Sequence, residues 1–318
     1  MNKRVFGIIG IKSVMANWNA DFSGYPKSIS TGEVFGSDKA LKYPMKRMWE
    51  DQGKTVLYIK SLKIEEDKKK KGKKIRPKSL KERYGEIFKC PNLKEEKDSS
   101  VVLRNLFTAI DVKQFGATFA EEDNNISITG AVQIGQGFNK YENTSVEEQQ
   151  ILSPFRVENE KNKKEDEEAN STTLGTKIVS SEAHYFYPFV INPLAYKNYV
   201  AMGVTEGYTE EDYNTFKEAA IISATALNTN SKLGCENELA VFIETEEETY
   251  LPDLAQLIKF EKRKDKGCIT FGFVDLLKEI EDQIIKIEVY YNPYTTILEG
   301  ELVKAKYYNI FTRNEVLK

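Results

Sequence analysis

The chain has 318 residues, 40% hydrophobic and 30% charged, with a formal net charge of -3, enough for one large domain with insertions or for two domains with proper cores. No apolar run approaches bilayer thickness, and the opening MNKRVFGIIGIK is too short and wrongly flanked for a secretory signal, so neither a membrane-spanning helix nor a membrane partner is expected, and a cytoplasmic protein is the default. Cys90, Cys235 and Cys268 are far apart and form no CxxC, which argues against a disulfide framework and a zinc module.

The net charge hides a segregation. Residues 68 to 78 read KKKKGKKIRPK without an acid, whereas acids collect in EKNKKEDEEAN (160 to 170) and ETEEET (244 to 249). A polyanion feels such a local patch before it feels the total.

In chain order, RVFGIIGIKSV (4 to 14) reads as a buried first strand, apolar and β-branched. The aperiodic segment that follows, to Gly36, is long enough to be a functional loop rather than a connector. Ser37 is an N-cap and Asp38 a first-turn acid for a helix to about Trp49. On it Lys39, Lys42 and Lys46 fall on one side, with Arg47 beside them, and Leu41, Met45 and Met48 face the core. Pro44 either kinks this helix or marks the first turn of one that starts later.

KTVLYIKSL (54 to 62) alternates like a second strand. Residues 63 to 105, rich in Lys and Glu, read as an inserted and mostly helical subdomain. NLFTAIDVKQFGATFA (105 to 120) and NISITGAVQIGQGF (125 to 138) read as a strand pair around a polar turn. Residues 139 to 173 are polar and acidic, as in a long exposed loop or protruding hairpin. A strand at 176 to 193, a helix at 209 to 228 capped by Thr209, strands near 237 to 243 and 268 to 274, a short helix near 274 to 282 and a strand near 284 to 291 complete the chain. The order strand, helix, strand, strand, helix, strand is that of an α+β protein with an antiparallel ferredoxin-like or RRM-like sheet.

Few motifs carry chemistry. GAVQIGQG (130 to 137) lacks the Lys and Ser/Thr that a phosphate loop needs after its second glycine, so close backbone approach to another chain or to a nucleic acid fits better. His184, the only histidine, reads as a satisfied sheet residue, since a useful base also needs a positioned partner. No His, Cys or Asp cluster has metal-ligand spacing, and no cofactor is expected. Asp21, in the loop after the first strand, reads as a loop cap or a solvated acid before a catalytic one. The basic helix face is either solvated or the seat of a polyanion. Asn17, Asn19, Ser28, Ser30 and Ser37 as donors, and Trp18, Phe22, Tyr25 and Phe35 as stacking platforms, give it what a single-stranded RNA groove needs.

The stretches RVFGIIGIKSVMANWNADFSGYP, GSDKALKYPMKRMWEDQG, DVKQFGATFA, SITGAVQIGQGFN, TLGTKIVSSEAHYFYPFVINP and ALNTNSKLGCENELAVFIE, in that order, resemble the CRISPR-associated backbone subunits of the Cas-seven family of Cascade. The likeness runs from about residue 4 to 245, is most specific in DVKQFGA, SITGAVQ and NTNSKLG, and points to the type I-B (Csh-two-like) branch. It implies an RRM-like palm (1 to 62, 106 to 138 and 176 to 318), a fingers insertion (63 to 105) and a thumb hairpin (139 to 175). It further implies that several copies polymerise head to tail along a CRISPR RNA, without catalysis, and present it to target DNA. A large subunit, a capping subunit and a guide-processing endonuclease would be the other partners. Under this resemblance Lys39, Lys42, Lys46 and Arg47 hold guide phosphates. Asn17, Asn19 and the backbone around Gln133, Gly135, Gln136 and Phe138 line the groove. Phe155 is a candidate wedge and Arg156 a phosphate contact on the thumb. Two rivals stay open: a type III-like endoribonuclease using Asp21, and a stand-alone RRM-like RNA-binding protein.

Overall fold

A computed structural model describes residues 1 to 67, 72 to 96, 98 to 152 and 173 to 317. Strand β1 (Arg4–Ala16) is apolar nearly throughout because it lies at the centre of the main sheet with both faces covered. The loop after it folds on itself through two bridges, Ala20 with Pro26 and Ser28 with Val34, and ends in the short β2 (Phe35–Gly36). Helix α1 (Asp38–Asp51) starts where expected: the Ser37 side chain accepts from Ala40 N, and Asp38 sits in the first turn. It buries Leu41, Met45 and Trp49, with Met48 only half-buried at the stripe's margin. Pro44 is therefore inside the helix, buried, and leaves one carbonyl in the preceding turn without its usual donor.

The strand expected at 54 to 62 does not form. Val56 and Leu57 are buried, which produced the alternation, but the Leu57 and Tyr58 N–H groups donate to the Asp111 carboxylate instead of to a neighbouring strand. The insertion is less helical than expected. It opens with a hairpin, β3 (Leu62–Asp67) and β4 (Gly72–Pro77), before α2 (Leu80–Ile87) with its Ser79/Glu82 capping box, and α3 (Ser99–Thr108) capped by Asp98. Residues 105 to 115, read as strand, are the end of α3 and α4 (Ile110–Phe115), because Val102, Leu103, Leu106 and Phe107 share one helical face. The hairpin there is β5 (Gly116–Glu121) and β6 (Asn124–Thr129), joined by Glu122 and Asp123 with φ of 49° and 67°. Two positive φ values in a two-residue connection match the right-handed strand twist.

Strands β7 (Val132–Ile134), β8 (Gly137–Asn139) and β9 (Val146–Leu152) all pair with the long β10 (Thr173–Ile191). The exposed β9 and the start of β10 thus pair as two antiparallel arms; the acidic stretch 160 to 170, expected in a long loop or protruding hairpin, lies outside the described residues. Helix α5 (Lys197–Ala201) and helix α6 (Glu210–Ala226), with a Thr209/Asp212 capping box, lead into β11 (Cys235–Thr245). Then come β12 (Ile258–Arg263), β13 (Lys266–Phe271), α7 (Val274–Glu279), β14 (Ile284–Tyr291), β15 (Thr296–Glu299) and β16 (Ala305–Asn309).

The main sheet runs β16-β14-β11-β1-β10-β8-β2, antiparallel except for the β14–β16 pair. Along β10 and β11 successive residues alternate between two cores. Tyr187, Phe189, Ala240 and Phe242 meet Leu41, Met45, Trp49 and Phe216 on the helical side. Phe186, Leu239, Val241 and Ile243 meet Ile258, Ile269, Phe271 and Leu277 of the small β12-β13-β15 sheet and α7 on the other. The protein is an α+β molecule in three layers: helices, main sheet, small sheet.

Candidate nucleic-acid interface

The loop after β1 is tied down from several sides. Asn17 is buried, and its amide donates to Gly24 O (2.8 Å) and Ile178 O (3.1 Å). The Trp18 indole N–H donates to the Tyr187 hydroxyl at 2.5 Å, beneath Gly36 and Gly137. The Lys232 ammonium donates to the Trp18 carbonyl at 2.6 Å and to the Asn17 carbonyl, and burial pushes its pKa down. Asn19 Oδ1 accepts from Ser37 N at 2.8 Å, joining the loop to the start of α1. Asp21 caps its own turn, with Oδ1 accepting from Ser23 N (2.8 Å) and Tyr25 N (3.0 Å), and the Tyr25 hydroxyl donates to Glu148 of β9 at 2.5 Å.

The basic side of α1 is not the clean stripe its spacing implied. Lys39 is exposed and has no ion pair among the described residues. Lys42 bonds Asp38 at 2.9 Å and lies 5.1 Å from the Phe115 ring centre. Burial would raise the Asp38 carboxyl, but Lys42, the Lys39 backbone N–H and the Gln136 side chain outweigh it and hold it below its usual range. Lys46 points inward: its Nζ lies 3.5 Å from Asp111 and donates to Tyr58 O at 3.2 Å. Burial lowers the Lys46 pKa despite the Asp111 charge. Arg47 is exposed and shared between Glu50 (3.1 Å) and Asp51 (2.9 Å). Three of the four cations therefore have carboxylate partners, three of those acids being on α1 itself.

Gln133 is exposed, with its amide turned back on Gly130 O at 2.8 Å, and Gly135 N donates to Pro188 O at 2.9 Å. Gln136 reaches Asp38. Phe138 packs against Phe35, ring centres 5.9 Å apart, with Lys27 5.5 Å from the Phe35 ring. The fold thus gathers Asn19, Lys39, Lys42, Gln136 and Phe138 around the N-terminus of α1. Lys46 and Asn17 lie beneath that surface. Phe155 and Arg156 fall outside the described residues. Sequence reasoning missed Lys27, which reaches Phe35 within the same loop, and Lys232 and Asp111, which act across long sequence separations.

Behind the sheet, His184 is buried as expected, but as part of a charged chain. Its Nδ1 lies 2.8 Å from Glu238 and its Nε2 3.2 Å from Glu182, which also takes Lys262 of β12. Phe260 stacks on the ring at 3.7 Å. Both flanking carboxylates accept only, so both ring nitrogens donate only as imidazolium. Burial lowers the His184 pKa, Glu238 and Glu182 raise it, and the balance is upward; His184 and Lys262, against burial, hold Glu182 down at about 2. The small sheet also brings Glu261, Cys268 and Glu299 ligand atoms within 4.8 Å of one another, where the Arg263 guanidinium already bonds both carboxylates. Among the described residues no helix is long and apolar enough to cross a membrane.

The fold is thus a three-layer α+β one in which a loop, a helix start and a short strand converge on one polar rim. Residues 3–288 match the family model of CRISPR-associated protein Cas7, and the chain belongs to that family. No curated protein matches it. Among solved structures it is similar to a chain of a "CRISPR RNA-guided surveillance complex, pre-nicking" (14% identity, 96% of each chain, TM-score 0.49). It is also similar to a chain of a "CRISPR RNA-guided surveillance complex" (12% identity, 89% of this chain and 88% of that one, TM-score 0.45).

Proposed function

We propose that this chain is a non-catalytic backbone subunit of a CRISPR surveillance complex, of the type I-B branch, that coats the guide RNA in several copies and presents it to target DNA. The family match over residues 3–288 carries this reading. The antiparallel run β11-β1-β10-β8, with α1 and α6 on one face, supports an RRM-like palm; the 63 to 105 insertion is the fingers and the β9–β10 arms the base of the thumb.

Guide phosphates lie against Lys39, Lys42 and Arg47, displacing the carboxylates of Asp38, Glu50 and Asp51 from the last two cations. Lys46 holds α1 to Asp111 instead of touching the strand. Asn19 and the Gln133 to Phe138 segment line the same groove. Contacts to phosphate leave base edges free, so pairing reads sequence while protein reads backbone. Copies on one strand use a head-to-tail interface that does not close, giving a helical filament, and the large, capping and guide-processing subunits bind its ends and flank. The loop-capping bonds of Asp21 support the non-catalytic reading over a nuclease.

The test is single-stranded RNA binding against ionic strength. Each lost phosphate contact lowers the log–log slope by about 0.7, so a Lys39/Lys42/Arg47→Ala variant is expected to lose roughly 2. RNA cleavage that disappears in Asp21→Ala would establish the nuclease reading instead.

A further inference from the structure

Four aromatic rings in the loop after β1 are candidate stacking platforms, and the fold uses three of them. Trp18 is buried on Tyr187, Phe35 packs on Phe138, and Tyr25 is bonded to Glu148. Phe22 is different: it is 112% exposed, between the exposed Asp21 and Ser23. The turn that carries it is not loose. Asp21 N donates to Tyr25 O at 2.8 Å and Gly24 N to Asp21 O at 3.3 Å, and Gly24 takes φ of 89°. Asp21 Oδ1 caps two N–H groups, and Asn17 grips Gly24 O from below. Every bond of the turn fixes its backbone, and none buries the ring.

A fully wet phenyl on a rigid turn contributes nothing to folding by area burial. It is pre-organised to bind, since little ordering remains to oppose association. A protein partner would need a contiguous apolar patch, whereas Phe22 is flanked by Asp21, Ser23 and Gly24, and the other exposed ring of the turn, Tyr25, has its hydroxyl on Glu148. A nucleobase needs only one π-face, whatever its identity. The position suits it. Phe22 is three residues from Asn19, which is bonded to the α1 N-cap, so the two Cα atoms are at most about 11 Å apart, roughly three stacked nucleotides.

We propose that Phe22 is a nucleobase-stacking residue, on which a base of the single-stranded RNA carried past the start of α1 lies flat. The proposal rests on the RNA-binding reading above. Asp21 and Glu148 flank the turn, so the site takes a base face and not a phosphate.

The experiment compares wild type, Phe22→Ala and Phe22→Trp on single-stranded RNA and on an abasic sugar-phosphate strand of the same length, at several salt concentrations. Stacking predicts that Phe22→Ala loses about 5- to 100-fold in affinity for RNA and nothing for the abasic strand, with an unchanged salt slope. Phe22→Trp retains the affinity, and its indole emission falls on RNA binding. Equal loss on both strands, a changed slope, or no loss overturns the proposal. So does normal binding of one copy to short RNA with failed assembly on long RNA, which would give the ring to a neighbouring chain. Wild type that binds no RNA at all overturns the RNA reading itself, a result visible without any Phe22 variant.

Discussion

Lys46 Nζ lies 3.5 Å from Asp111 Oδ2, and the same carboxylate accepts from Leu57 N at 2.9 Å and Tyr58 N at 2.8 Å. One buried carboxylate thereby joins the basic helix, the extended segment leading to the insertion, and α4. Removing it leaves a half-buried ammonium and two N–H groups without their acceptor. Asp111→Ala is expected to cost about 3 kcal/mol in urea unfolding, because breaking an ion pair inside a protein strands the other charge. A cost below about 0.5 kcal/mol would show that the pair is dispensable.

The chain's single histidine makes its titration readable without assignment. A folded pKa above the ordinary 6.5 means that His184 binds its proton more tightly in the native state. Its contribution is complete below pH 6.5 and is lost as pH rises through the folded value. Glu182 works oppositely. With a carboxyl held at about 2 against 4.5, its stabilisation is complete above pH 4.5 and lost as pH falls toward 2. The imidazole carbon resonance in NMR is expected to titrate with a midpoint above 6.5; a midpoint below 6.5 contradicts the buried imidazolium.

Gly137 lies against the Tyr187 ring, where an added Cβ would come within 2.4 Å to 2.5 Å of ring atoms. Tyr187 in turn holds Trp18 at the root of the loop. Gly137→Ala is expected to cost about 1–3 kcal/mol by overpacking and to shift the tryptophan emission. An unchanged melting temperature would mean that β8 relaxes freely away from Tyr187.

Legibility in the sequence followed the range of the interactions. Helix α6 could be read because Thr209, its acids and its apolar stripe are all local, and α1 because Ser37, Leu41 and Met45 are, although Trp49 rather than Met48 completes its buried face. The false strand at 54 to 62 came from burial without pairing: its donors go to Asp111, 54 residues away from Leu57. Residues 105 to 115 misled because their apolar residues suit either element at short length. At the site, the partners of Lys42 and Arg47 were visible at helical spacing, three or four residues away. The inward turn of Lys46 and the burial of Asn17 were not, since Asp111 and Ile178 are distant in sequence.

Backbone function requires that copies of this chain line up on one RNA strand. Mass photometry of the protein with single-stranded RNAs of increasing length tests it most directly, with the Lys39/Lys42/Arg47→Ala variant as control. Particles are expected to grow by whole subunits as the RNA lengthens, with no such growth in the variant. A protein that stays monomeric at every length, or a variant that assembles as well as wild type, would contradict it.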